Sequence, residues 1–190
     1  MSIEEAKVSP IVSGDELKLV WTESEVDLPE VDGWVEAFED GRIAGWAARK
    51  NRAVGFVAVR KVGIIPEETE VAEMVAFNFP NELIYPVYAL HIHPDIRSQG
   101  IATLLMENVH RDVPRWPNPP SRLALWVETT NKHAITLYNK LGYEVLQDKE
   151  KRVVTVDAPK RTLKGDYVSD FKKAYVMAKE LTEDELVENT

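Results

Sequence analysis

Leu90-His91-Ile92-His93-Pro94-Asp95-Ile96-Arg97-Ser98-Gln99-Gly100-Ile101-Ala102 runs from an apolar segment into an amphipathic one. Upstream, Val87 to His93 reads as a buried strand, and Pro94 ends it. Downstream, Ile101, Leu104, Leu105, Val109 and Val113 recur at helical spacing along one face. A loop between such a strand and helix ends on free backbone N–H groups and the positive end of the helix dipole, which together favour an anion. Gly100 allows close approach of the backbone to a ligand, and Ala102 adds almost no bulk. A diphosphate suits this place. The Lys-Ser/Thr pair of a P-loop and a G-x-G-x-x-G run are both missing, so a nucleotide-dependent phosphotransferase is disfavoured.

Working outward, the proline-rich link Pro114–Pro120 cannot continue the helix, and Leu123–Val127 forms the next strand. Ala134, Leu137, Tyr138 and Leu141 mark a second helix, which Gly142 terminates. Tyr143–Leu146, Arg152–Val156 and Ala174–Lys179 read as closing strands. On the amino-terminal side, Leu17–Trp21 alternates as a first strand, and Asp27-Leu28-Pro29-Glu30 reads as a capping box. Val31, Trp34, Val35 and Phe38 follow it as a helix stripe. Ile43–Ala48 and Ala53–Val62 make an antiparallel hairpin, whereas Ile65–Pro86 is read as an irregular surface excursion. The pattern is α/β: a mixed parallel and antiparallel sheet with helices on its faces.

The length of 190 residues suits one domain, taken as residues 1–181, with a polar acidic tail over 182–190. A formal net charge of −9 repels phosphate backbones, so nucleic acid is excluded as a partner. The same field mildly favours a cationic substrate such as an amine, although an acidic surface kept for solubility is the plainer account. No cysteine is present, which removes disulfides, thiolate metal sites and a Cys nucleophile. No apolar run approaches a membrane span, and the polar start resembles no secretory signal, so the expectation is a cytoplasmic protein without membrane contact.

Arg97-Ser98-Gln99-Gly100-Ile101-Ala102 resembles the Q/R-x-x-G-x-G/A signature of the GNAT N-acetyltransferase superfamily. Asn131, Ala134, Leu137-Tyr138 and Gly142-Tyr143 resemble its second signature, and Leu123–Val127 lies where the family's fifth strand belongs. The resemblance covers Ile43–Lys179 in strand order and is specific from Val87 to Tyr143. It implies a central mixed sheet of six to seven strands with helices on both faces. It implies acetyl-CoA as acyl donor, with no metal. Leu90, His91 and Ile92 would contact the pantetheine and thioester, and an N–H from that stretch would face the acetyl carbonyl. Arg97, Ser98, Gln99, Gly100, Ile101 and Ala102 would cradle the pyrophosphate. Asn131 would bond the pantetheine region, and Tyr138 would stand near the sulfur and protonate the leaving thiolate.

Without cysteine, direct transfer to an amine in a ternary complex is the simplest route. A base must remove the amine proton. Ribosomal-protein acetyltransferases of the superfamily carry a Glu five residues before the Asn, where this chain has Trp126. Glu82, Glu128, His91, His93 and water are the substitutes. His91 and His93 would also share one strand face, a possible metal pair lacking a third ligand. Tyr138 and Asn131 have structural readings too, as a core aromatic and a helix cap. The resemblance implies an amine-bearing small molecule or peptide as acceptor, met by the least regular segments, Asp27–Gly41, Ile65–Pro86 and Asp148–Phe171, in a monomer or homodimer. A non-catalytic acyl-CoA-binding sensor is the alternative.

Overall fold

A short strand, β1 (Lys7–Pro10), leads to Ser13, which opens a helix, α1 (Gly14–Glu23), where the alternation of Leu17–Trp21 predicts a strand. The structure, a computed structural model, describes residues 6–25, 31–61, 69–161 and 167–182. The helix wins because Ser13-Gly14-Asp15-Glu16 is a start signal. The Ser13 hydroxyl accepts the Glu16 N–H at 3.1 Å, and the Glu16 carboxylate accepts the Val12 N–H at 2.7 Å. Leu17, Val20 and Trp21 then fall at i, i+3 and i+4 and are all buried, while Leu19 points out. The Asp27–Glu30 capping box lies outside the described residues, but the helix expected after it is present as α2 (Val31–Glu39), burying Trp34 and Val35.

The described residues form two compact units. The first comprises those up to Lys61 together with Val87–Asp112. Here β2 (Ile43–Arg49) and β3 (Ala53–Arg60) make the expected antiparallel hairpin, with β1 added to the outer edge of β2. Every residue of β3 is buried, which requires cover on both faces. Phe56 meets Trp21 at 5.6 Å and Trp34 at 6.1 Å between ring centroids, so one face carries α1 and α2. Trp46 stands opposite Val57, on the other face by strand alternation. Its indole N–H donates to Asp112 at 2.8 Å, at the end of the helix that covers that side.

In the second unit the expected irregular excursion contains a helix, α3 (Thr69–Asn78). Val71, Met74 and Val75 form its inward stripe against Ile84, Ala124, Leu146, Val156 and Val176. The stripe breaks at Asn78, which hid it in the sequence. That amide donates instead to the carbonyls of Met74 at 2.8 Å and Gln147 at 2.9 Å. β4 (Ile84–Ile92) belongs to both units, its first three residues pairing in parallel with β5 beyond the helix α4 (Ile101–Asp112). β5 (Arg122–Glu128) is followed by α5 (Lys132–Lys140), β6 (Glu144–Val145), β7 (Val156–Arg161) and β8 (Tyr167–Glu180). β8 pairs antiparallel with β5, β6 and β7.

The strand expected at Arg152–Val156 is displaced. The Asp148 carboxylate accepts the N–H groups of Glu150 and Arg152 at 2.8 and 2.9 Å, and Lys151 is left-handed, so a turn occupies 148–152. The α/β class with a mixed sheet stands, with eight strands and five α-helices among the described residues. No helix among them is long and apolar enough to cross a membrane.

Candidate active site

The loop between β4 and α4 carries the first half of the candidate site. Ser98 and Gly100 are both left-handed, with φ of 64° and 79°. Such alternation turns successive peptide N–H groups toward one side, and a Cβ built on Gly100 would meet nothing within 4 Å. Among the described residues the N–H groups of Ser98, Gln99, Gly100, Ile101, Ala102 and Thr103 have no backbone acceptor; the first bond of α4 is Leu104 N–H to Gly100 carbonyl at 3.0 Å. Ser13 and Asn131 cap their helices with side chains, whereas Gly100 has none to offer α4. The first turn of α4 carries no acidic residue either. This donor set fits a doubly charged diphosphate, as the phosphates of coenzyme A require. Arg97 and Gln99 hold the rim. The Arg97 guanidinium donates to the Ile92 carbonyl at 3.3 Å, and Gln99 accepts from Lys50 at 3.0 Å.

Leu90, His91 and Ile92 are half-buried at the end of β4 and pair with Val57, Phe56 and Gly55. A Cβ on Gly55 would lie 2.7 Å from the His91 carbonyl oxygen, so only glycine lets β3 approach here. Upstream the register skips: Ala89 faces Ala58, Val87 faces Val59, and Tyr88 is the extra residue of a bulge. A bulge frees main-chain groups from the ladder and re-aims its neighbours. Nothing in the run Val87-Tyr88-Ala89 announces it, and sequence reasoning missed it. Pairing of β4 with β5 covers Ile84, Tyr85 and Pro86 and stops there. Proline has no N–H to carry a ladder on.

His91 and His93 do not share a strand face. β4 ends at Ile92, and His93 caps the short turn Pro94–Ile96, accepting the Asp95 N–H at Nδ1, 3.2 Å away. Its Nε2 lies 3.2 Å from both the Glu25 carboxylate and the Arg52 guanidinium. His93 is 2% exposed. The Nε2 of His91 meets the Ser24 carbonyl at 2.9 Å. Among the described residues no three His, Cys, Asp or Glu side chains converge as metal ligands.

The second unit holds Asn131 and Tyr138. Asn131 caps α5, its side-chain oxygen accepting the Ala134 N–H at 3.2 Å. Its amide NH2 makes no hydrogen bond among the described residues, so the capping residue keeps a donor for a ligand. Gly142, at φ 84°, ends the helix, and the Tyr143 N–H returns to the Tyr138 carbonyl at 3.0 Å. That turn sets the Tyr143 ring 5.7 Å from the Tyr138 ring. Tyr138 is 8% exposed, and burial pushes its phenol up to about 12. Its hydroxyl makes no hydrogen bond among the described residues, unlike that of an ordinary core tyrosine.

Of the other candidates, Glu82 accepts from Arg122 at 2.8 Å and from the Ser121 hydroxyl at 3.0 Å. Glu128 is half-buried at the end of β5. Trp126 packs beside the cluster built on Val71 and Val75.

Parallel β4 and β5, a bulged β4 and a loop of open amides at a helix start match what the resemblance to acyl-CoA-dependent acyltransferases implies. The chain belongs to the Acetyltransferase (GNAT) family, whose model matches residues 9–143. No curated protein matches the sequence significantly. Among solved structures, Arabidopsis thaliana NAA60 in complex with acetyl-CoA is similar at TM-score 0.65 and 17% identity, over 93% of this chain and 99% of that one. The ribosomal-protein-alanine N-acetyltransferase of Escherichia coli is similar at TM-score 0.60 and 16% identity, over 94% and 95% of the two chains. A spermidine N-acetyltransferase SpeG chimera from Vibrio cholerae and hSSAT is similar at TM-score 0.60 and 14% identity, over 95% and 98%. At such identities the likeness is one of fold.

Proposed function

We propose that this chain transfers the acetyl group of acetyl-CoA directly to a primary amine held in a ternary complex. The carrying observation is the row of N–H groups from Ser98 to Thr103, which have no backbone acceptor among the described residues, at the start of a helix without a side-chain cap among them. Those amides and Arg97 bind the pyrophosphate, and Leu90–Ile92 line the acyl arm. Asn131 donates its free NH2 to the same arm while its oxygen stays on the Ala134 N–H. Acetyl-CoA supplies a thioester carbonyl open to attack. The amine nitrogen forms the new C–N bond, the C–S bond breaks, and the amine proton passes to a base. A main-chain N–H of Leu90–Ile92 stabilises the charge that grows on the carbonyl oxygen.

Tyr138 acts on the departing sulfur. With its phenol raised to about 12 by burial, the hydroxyl is protonated at neutral pH and donates its proton to the departing thiolate. The candidate bases stay Glu82, Glu128, His91, His93 or water: Glu82 is tied to Arg122, His93 to Glu25 and the Asp95 N–H, and His91 to the Ser24 carbonyl.

The test is CoA release from acetyl-CoA over a panel of small amines, polyamines and peptides bearing free α-amines or lysines. Turnover with at least one amine is expected. Tight acetyl-CoA binding without transfer to any of them would leave a sensor in place of an enzyme.

A further inference from the structure

In the first unit Lys18 pairs with Asp32, Arg42 with Asp40, Arg49 with Glu16 and Arg111 with Asp112. That is the expected condition in a chain with 32 acidic and 23 basic residues. Lys50 is different. It sits in the turn joining β2 to β3, held by its own N–H bonding to the Arg52 carbonyl at 3.1 Å. Its ammonium touches no carboxylate among the described residues. It lies 3.0 Å from the side-chain oxygen of Gln99, a neutral group on the loop whose peptide N–H groups from Ser98 onward have no backbone acceptor among the described residues. A strongly hydrated point charge gains little from one amide oxygen, but it gains much from a phosphate beside it.

Resting on the acetyl-CoA reading above, we propose that Lys50 is a further donor-binding residue: its ammonium pairs with a phosphate of the 3′-phospho-ADP end of the donor. Gln99 holds the free ammonium at the loop, and the hairpin turn becomes part of the nucleotide site although it lies far from the loop in sequence. The residue then distinguishes phosphorylated donors from truncated ones and takes no part in acetyl transfer itself.

Calorimetry of CoA and of 3′-dephospho-CoA against wild type, Lys50→Arg, Lys50→Gln and Lys50→Glu tests this. Lys50→Gln should weaken CoA about 5-fold, as loss of one partly exposed ion pair does, Lys50→Glu more, and Lys50→Arg little. The gap between wild type and Lys50→Gln should narrow as salt is raised. Unchanged melting temperatures of the free variants would show that the fold is intact. If the loss persists with 3′-dephospho-CoA the partner is the pyrophosphate; if it vanishes the partner is the 3′-phosphate, and either result upholds the pairing. Equal CoA affinity of wild type and Lys50→Gln overturns it while leaving the acetyltransferase reading untouched. Failure of wild type to bind CoA at all sinks both.

Discussion

Tyr138 combines two properties that seldom coincide: a ring almost wholly buried and a hydroxyl without a hydrogen bond among the described residues. Removing only the hydroxyl separates its roles. Tyr138→Phe should keep the fold, leave KM for acetyl-CoA within about 3-fold and lower kcat by roughly 10- to 100-fold, near or below the lower end of what a positioned proton donor contributes. A fall in melting temperature with unchanged kcat would return the residue to the core. The phenol also has a signature in stability. Burial raises it from 10.0 to about 12. Between those pH values the unfolded chain has lost a proton that the folded chain keeps, so stability falls as pH rises through that window, by roughly 2–3 kcal/mol from this group. Below pH 10 the contribution is fully present. Denaturant titrations at pH 9 and above should show that slope in wild type and its absence in Tyr138→Phe. An alkaline limb of kcat below pH 10 belongs to another group.

At the scale of elements, the end of β4 depends on its neighbour. Gly55→Ala places a methyl 2.7 Å from the His91 carbonyl and 2.8 Å from the Ile92 side chain. It should cost about 1–3 kcal/mol of stability and weaken CoA binding as well, because β4 must shift where it enters the loop. Ser13→Ala removes the cap of α1 and should cost about 1 kcal/mol without touching CoA affinity. These elements also mark what could be read from sequence. The loop, its helix and the Asn131–Tyr143 motif were legible because glycine, proline and helical spacing act over a few residues. The helix α1 is legible too, in Ser13 and Glu16, but the alternation within Leu17–Trp21 masks it. The helix α3 was hidden by Asn78, whose partner Gln147 is remote in sequence. The bulge at Tyr88 and the contact of Lys50 with Gln99 are products of strand pairing, and no local pattern records them.

For the whole molecule, binding and stability are coupled. A donor that binds only the folded chain should raise its stability by about 2.7 kcal/mol at a hundredfold excess over Kd, readable as a higher melting temperature. Charge adds a second expectation. With a net charge of −9, the chain attracts a polyamine and repels an anionic peptide, so KM for a cationic acceptor should rise with salt. No dependence on salt would mean that the acceptor meets a neutral surface. The missing cap of α4 gives these couplings a local reporter. A helix that borrows its terminus from a visiting molecule frays when the visitor leaves. Amide hydrogens of Gln99 to Thr103 should therefore exchange quickly in the empty protein and slowly in the loaded one, making the first turn of one helix a gauge of how much donor the chain has met.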